Sequence, residues 1–268
     1  MSCMSKRIFF CLFIVFFTMP IVGYAQRIKT VLEQETSSSA DFYCGLDNFR
    51  NSYFIKNNVF VKQSGNQTWE YKNLPLGKIT SVDIINPLQI VLFYEQFNTA
   101  IMLDNQLNEI RKIDFTEINN SLIISKIGLA GQNQFWIYNA VNQKLILFDY
   151  LKNTVKELPI PIEHEIKFYQ TDFNTFYWID EYNNWFSCDI FGKKTLLGNI
   201  PAFENIQIID NEKLLFSVGT KLYYLNTKTQ SVIEIEIVEN SFGNFYYKDQ
   251  ILSIFTSQEI KNYKIKIP

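Results

Sequence analysis

Residues 83–115 read DIINPLQIVLFYEQFNTAIMLDNQLNEIRKIDF, and this stretch decides the fold. An apolar run from Leu88 to Tyr94 meets a polar knot at Glu95, Gln96, Phe97 and Asn98. A second run, Ala100 to Leu103, stops at Asp104 and Asn105, and a weaker alternation through Ile110, Ile113 and Phe115 follows. Short apolar runs bounded by Asx-rich breaks are strand and turn signals, so three antiparallel strands are predicted here, with Ser81 to Ile84 opening the unit. Helical period is nowhere sustained over a helix length.

The same pattern recurs along the chain. Aligned second strands start at Tyr53, Val91, Phe135, Phe176, Leu214 and Ile251, separated by 38, 44, 41, 38 and 37 residues. Four short strands in a period of about 40 residues is the size of a propeller blade. The third strands share an ending, at Asp104, Asp149, Asp189 and Asn226, where an Asx side chain can hydrogen-bond the backbone two residues on and start the turn to the outer strand. Blades are predicted at 40–77, 78–118, 119–162, 163–201, 202–239 and 240–268. The last of these holds only three strands. An unpaired edge invites aggregation, so the spare strand at Arg27 to Glu33 is predicted to complete it and close the ring. Two tandem sandwiches would need a linker near the middle, and no polar or Gly/Ser-rich stretch lies around Ile113 to Asn133. The predicted class is therefore all-β, a single six-bladed β-propeller.

The recurrence resembles the β-propeller superfamily, and NPLQIVLFYEQFNTAIMLDNQLNEI, residues 86–110, resembles the repeats of exported, uncharacterised bacterial propeller-like proteins. The resemblance covers the whole chain after residue 25. It lacks the GH…WD signature, the kelch double glycine and the tryptophan-docking motif of quinoprotein propellers. It implies an architecture and not an activity.

Residues 1–25 have a separate logic. Lys6 and Arg7 precede an apolar run from Ile8 to Val22, and Gly23-Tyr24-Ala25 offers small residues for a signal peptidase, so cleavage after Ala25 and export to the periplasm or cell surface are expected. Thr18 and Pro20 interrupt the run, which is short for a membrane span, and no transmembrane segment is expected after cleavage. Cleavage removes two cations and no acid, taking the formal net charge from −2 to −4. That charge implies no basic face and no nucleic-acid partner. Cys3 and Cys11 leave with the segment. Cys44 and Cys188 fall in different blades and are expected as two buried thiols rather than a disulfide. Aromatic residues make up 16% of the chain, which suits pleated, half-buried surfaces.

No motif carries catalysis. The single histidine, His164, has no donors at metal-ligand spacing, no GxSxG elbow is present, and neither calcium nor phosphate loops appear. No cofactor or metal is expected. The second-to-third-strand connections gather Glu95, Phe97, Asn98, Asn142, Asp180, Glu181, Tyr182 and Asn183 on one face of the ring. Trp136, Trp178 and Trp185 are expected between blades. Aromatics beside amides grip a protein partner or a sugar with little entropy loss. The sequence therefore leads to a monomeric, non-enzymatic envelope scaffold that binds a protein. The alternative is a glycan-binding or glycan-hydrolysing propeller using Glu95, Asp180 or Glu181.

Overall fold

The computed structural model describes residues 27–268, so the expected signal segment lies outside the described residues. The first strand, β1 (Thr30–Ser37), precedes the first complete blade: β2 (Phe42–Leu46), β3 (Ser52–Lys56), β4 (Val59–Ser64) and β5 (Gln67–Tyr71). The second blade holds β6 (Ser81–Asp83), β7 (Ile90–Tyr94), β8 (Thr99–Leu103) and β9 (Glu109–Asp114). The third holds β10 (Ile124–Ala130), β11 (Gln134–Asn139), β12 (Lys144–Asp149) and β13 (Thr154–Glu157). The fourth holds β14 (Ile166–Thr171), β15 (Thr175–Asp180), β16 (Asn184–Asp189) and β17 (Lys194–Asn199). The fifth holds β18 (Asn205–Ile208), β19 (Lys213–Val218), β20 (Lys221–Asn226) and β21 (Ser231–Ile235), and the sixth holds β22 (Asn244–Lys248), β23 (Ile251–Phe255) and β24 (Glu259–Ile265). The sheets of the first five blades are antiparallel meanders in sequence order.

Six apolar clusters explain why these strands read as unbroken apolar runs. Each cluster lies between two adjacent blades. Phe93, Met102 and Phe115 of the second blade meet Phe135, Ile137 and Phe148 of the third. Trp136 and Leu147 meet Phe176 and Trp178 across the next interface. A middle strand is thus buried on both faces, and IVLFY and TAIML are buried at every position. That is the condition under which a strand loses its alternation. Trp136, Trp178 and Trp185 sit in these interfaces with 0%, 1% and 0% exposure. Outer strands face solvent, as in TVKE of β13.

Three of the four Asx residues at the ends of the third strands act as the spacing predicts, whereas Asn226 accepts from Thr229 N, three residues on. Asp104 Oδ1 accepts from the N–H groups of Gln106 and Asn108, Asp149 Oδ1 from those of Leu151 and Lys152, and Asp189 Oδ1 from those of Phe191 and Lys193. A single helical turn, α1 (Phe115–Ile118), follows β9, capped by Asp114.

The ring closes through the N-terminal strand. β1 pairs with β24 from Thr30 opposite Ile265 to Ser37 opposite Glu259, with a bulge between Leu32 and Gln34, and completes the sixth sheet in the order β1-β24-β23-β22. The strand runs four residues further than Glu33, because Gln34 to Ser37 find ladder partners on β24. Ile28 leaves this sheet and bridges Ile235 of the fifth blade in parallel. Its N–H donates to Glu234 O at 2.9 Å, and its carbonyl accepts from Glu236 N at 2.8 Å.

Candidate functional site

In a ring of radial sheets the first strand of each blade presents its edge to the axis. An edge carries unpaired N–H and C=O groups. Here side chains from neighbouring blades take up many of them. Gln170 on β14 donates to Ile208 O at 2.7 Å and accepts from Ile208 N at 2.9 Å. Gln207 on β18 repeats this with Tyr247 of β22 at 2.7 and 2.6 Å. Asn244 donates to Tyr43 O at 2.7 Å, and the Tyr169 hydroxyl donates to Ile127 O at 3.1 Å. Each amide imitates one rung of a ladder, so the inner strands are laced around an open axis instead of collapsing onto it.

The lacing leaves an axial cavity of about 770 Å³, lined by the inner strands of all six blades. A half-buried carboxylate on its wall is Asp83. Oδ1 accepts from Ile85 N at 2.9 Å, and Oδ2 accepts from Leu129 N at 2.7 Å and from the Thr171 hydroxyl at 3.5 Å. The contact joins blades two and four past β10, which is slim at Gly128: a Cβ there would stand 2.0 Å from Thr171 Oγ1. Burial pushes the Asp83 carboxyl above its usual range, opposed by these donors. Across the channel the Tyr246 ring lies flat on Gly45, whose φ of +132° and absent side chain permit it; a Cβ would meet the ring at 2.7 Å. Burial raises the Tyr246 hydroxyl well above 10.

The second-to-third-strand loops all lie on one face, because antiparallel meanders return those connections to one end of every blade. The side chains predicted there divide by what holds them. Asn98, left-handed at φ 48° and 6% exposed, turns inward. It donates to Leu122 O and accepts from Ile124 N, fastening the third blade to the second. Asp180, 1% exposed, accepts from the N–H groups of Tyr182 and Asn184 and from Asn184 Nδ2, so it holds its own turn. Asn142 accepts from Lys144 N. Glu95 and Phe97 occupy a short 3₁₀ turn, with Phe97 45% exposed.

Glu181, Tyr182 and Asn183 come together with groups outside the prediction. His164, from the connection entering the fourth blade, stands 3.7 Å from Glu181 and sets its ring edge-on to Tyr182 at 4.9 Å. Lys167 donates to Asn183 Oδ1 at 3.0 Å and lies over the Phe203 ring at 4.3 Å. Lys167 and Phe203 also line the axial cavity, so this cluster joins the loop face to the channel mouth. Sequence reasoning missed Asp83, Tyr169, Gln170 and Gln207; the 37-residue spacing of the two glutamines was the available signal.

Cys188 is buried and Cys44 half-buried against the channel, and both are free thiols. Burial pushes the Cys188 thiol up to about 12, with Asp189 adding to it, and pushes Cys44 higher still. Among the described residues no three His, Cys, Asp or Glu side chains are grouped to hold a metal ion. No helix among them is long and apolar enough to cross a membrane.

No family model matches the chain. No curated protein matches it. Solved structures do. Virginiamycin B lyase from Staphylococcus aureus is similar at TM-score 0.56 and 13% identity, over 82% of this chain and 79% of that one. The Swd1 β-propeller domain from Myceliophteria thermophila is similar at TM-score 0.57 and 11% identity, over 88% and 100%. The extracellular domain of the putative one component system BT4673 from B. thetaiotaomicron is similar at TM-score 0.50 and 13% identity, over 90% of this chain and 40% of that one. Likeness at such identities speaks for architecture alone, and it agrees with the six radial sheets: the chain is a six-bladed β-propeller.

Proposed function

We propose that this chain is an exported, non-enzymatic propeller that binds a protein partner of the cell envelope through the face carrying the second-to-third-strand loops. One observation carries the reading. Tyr182 is 61% exposed yet braced by His164 and by the turn that Asp180 holds, next to Lys167 and Phe203 at the channel mouth. An aromatic ring held ready in this way loses little entropy on contact and is the common core of a binding hot spot. Phe97 offers a second exposed ring on the same face. The Asp180 oxygens are engaged by its own turn, and Glu181 lies beside His164, which favours binding over hydrolysis by an acid pair. Export is supported by the basic start and apolar run of residues 6–22 and by the likeness to an extracellular domain. Because propellers such as virginiamycin B lyase include enzymes, the site must carry the argument.

The test is recovery of envelope proteins on immobilised chain 26–268, with Tyr182→Ala and Phe97→Ala as controls. A partner retained by the native chain and lost with the double variant supports the reading. Equal recovery of every partner refutes it. A second reading, glycan binding, is favoured by the Tyr182 ring lying beside Asn183 and Glu181. Retention on a glycan array, abolished by Tyr182→Ala, would replace the first.

A further inference from the structure

We propose that the axial channel is a binding site for a small carboxylated sugar of one or two rings, held by lysine ammonium groups and tyrosine ring faces. The inference is independent of the loop-face reading. The cavity, about 770 Å³, falls in the range of small-molecule sites, and all six inner strands contribute to its wall. Its lining sets three lysines against two carboxylates, a formal excess of positive charge although the whole chain is formally −2. Two carboxylates line it, Asp83 and Glu204, and each is taken up by backbone donors: Ile85 N and Leu129 N on Asp83, and Gly219 N on Glu204 at 3.1 Å.

Three lysines line it, and none of the salt bridges among the described residues involves them. Lys126 is half-buried with its ammonium 5.8 Å from the Tyr169 ring centroid. Lys248 is half-buried on the opposite wall, and Lys167 marks the mouth. Unpaired cations in a low-dielectric cleft focus field and attract anions.

The neutral lining selects within the anions. Gln170, Gln207 and Asn244 already engage inner-edge groups of the fifth, sixth and first blades, so these edges offer an incoming chain less to pair with as a strand. The rest of the lining includes the Tyr246 ring, which has Gly45 on one face, the Tyr169 ring, stacked on Phe176, and the Ser81 hydroxyl, with the Thr171 hydroxyl donating to Asp83 and the Asn205 amide to Ser217 and Gly243. Ring faces with interspersed hydroxyls and amides suit a polyhydroxylated ring, and the ammonium groups suit a carboxylate on it.

Isothermal titration of purified chain 26–268 with D-glucuronate, D-glucose and inorganic phosphate tests the proposal. Glucuronate is expected to bind at least about tenfold more tightly than either of the others, and less tightly as salt is added. Lys126→Gln and Lys248→Gln are each expected to weaken glucuronate about tenfold, the order of one charge-assisted hydrogen bond, with unchanged thermal melts showing that the ring is intact. Glucuronate binding no tighter than glucose or phosphate overturns the proposal. So does glucuronate affinity that survives both substitutions.

Discussion

Gly128 allows Thr171 of β14 to approach β10 closely, and replacing it with alanine is a direct test of that geometry. The new Cβ would stand 2.0 Å from Thr171 Oγ1 and 2.8 Å from both Thr171 Cβ and Cγ2. Rotating the threonine relieves one clash by swinging another atom into the space, so the inner strands must separate. Overpacking of this kind costs about 1–3 kcal/mol, and the severity of the overlap places it near the top of that range. Glycine-to-alanine replacement returns about 0.4–1 kcal/mol by restricting the unfolded chain. The net loss is about 2 kcal/mol, or a fall in Tm of about 4–8 °C for a domain of this size. Thr171→Ala removes Oγ1 and Cγ2 and leaves a single 2.8 Å contact. In that background Gly128→Ala is expected to cost at least about 1 kcal/mol less, a coupling read from a double-mutant cycle by urea denaturation. A fall of under 2 °C, or costs that simply add, would refute the close approach of β10 and β14.

Gln207→Ala strips both hydrogen bonds from the Tyr247 backbone and is expected to cost about 1–3 kcal/mol, with faster amide exchange at Tyr247; unchanged exchange would argue against the lacing. The Cys44 and Cys188 thiols, both raised by burial, are expected to react slowly with a disulfide reagent at pH 8 in native chain 26–268 and to titrate as two free thiols once denatured. Fast native labelling of either, or a missing thiol, would contradict their placement. Glu35 lies beside Glu259 on the closing seam, and the hydrogen bond and charge of Glu259 raise its carboxyl from the ordinary 4.5. A raised carboxyl stabilises the folded ring while protonated, and that contribution is lost as pH rises through its folded value. Glu35→Gln is therefore expected to raise Tm at pH 7 and leave it unchanged at pH 4. Equal shifts at both would refute the coupling.

The features that could be read from the sequence were those set by local chemistry. IVLFY and TAIML stand out because both faces of a middle strand are buried, and Asp104, Asp149 and Asp189 because an Asx turn needs its acceptor at one position. The closing strand followed from counting edges. Asp83, Gln170 and Gln207 stayed hidden because the backbone groups they bind lie 38–46 residues away on a neighbouring strand edge, a contact whose trace in the sequence is no more than the 37-residue spacing of the two glutamines. Asn98 and Asn183 look alike as left-handed turn residues. Only the tertiary context separates them: the segment leading into the third blade covers Asn98, whereas Asn183 opens toward the channel mouth.

The pairing of β1 with β24 sets how the ring answers mechanical load. Thr30 and Ile265 sit opposite each other, so tension applied between the two chain ends pulls perpendicular to the strands. The rungs would then part in succession rather than in shear. Ile28 meets that tension first through its two bonds to the fifth blade, and once they yield the zipper runs toward Ser37. A tether at one end alone leaves the ring unstressed, whereas fixing both ends makes this seam its weakest point.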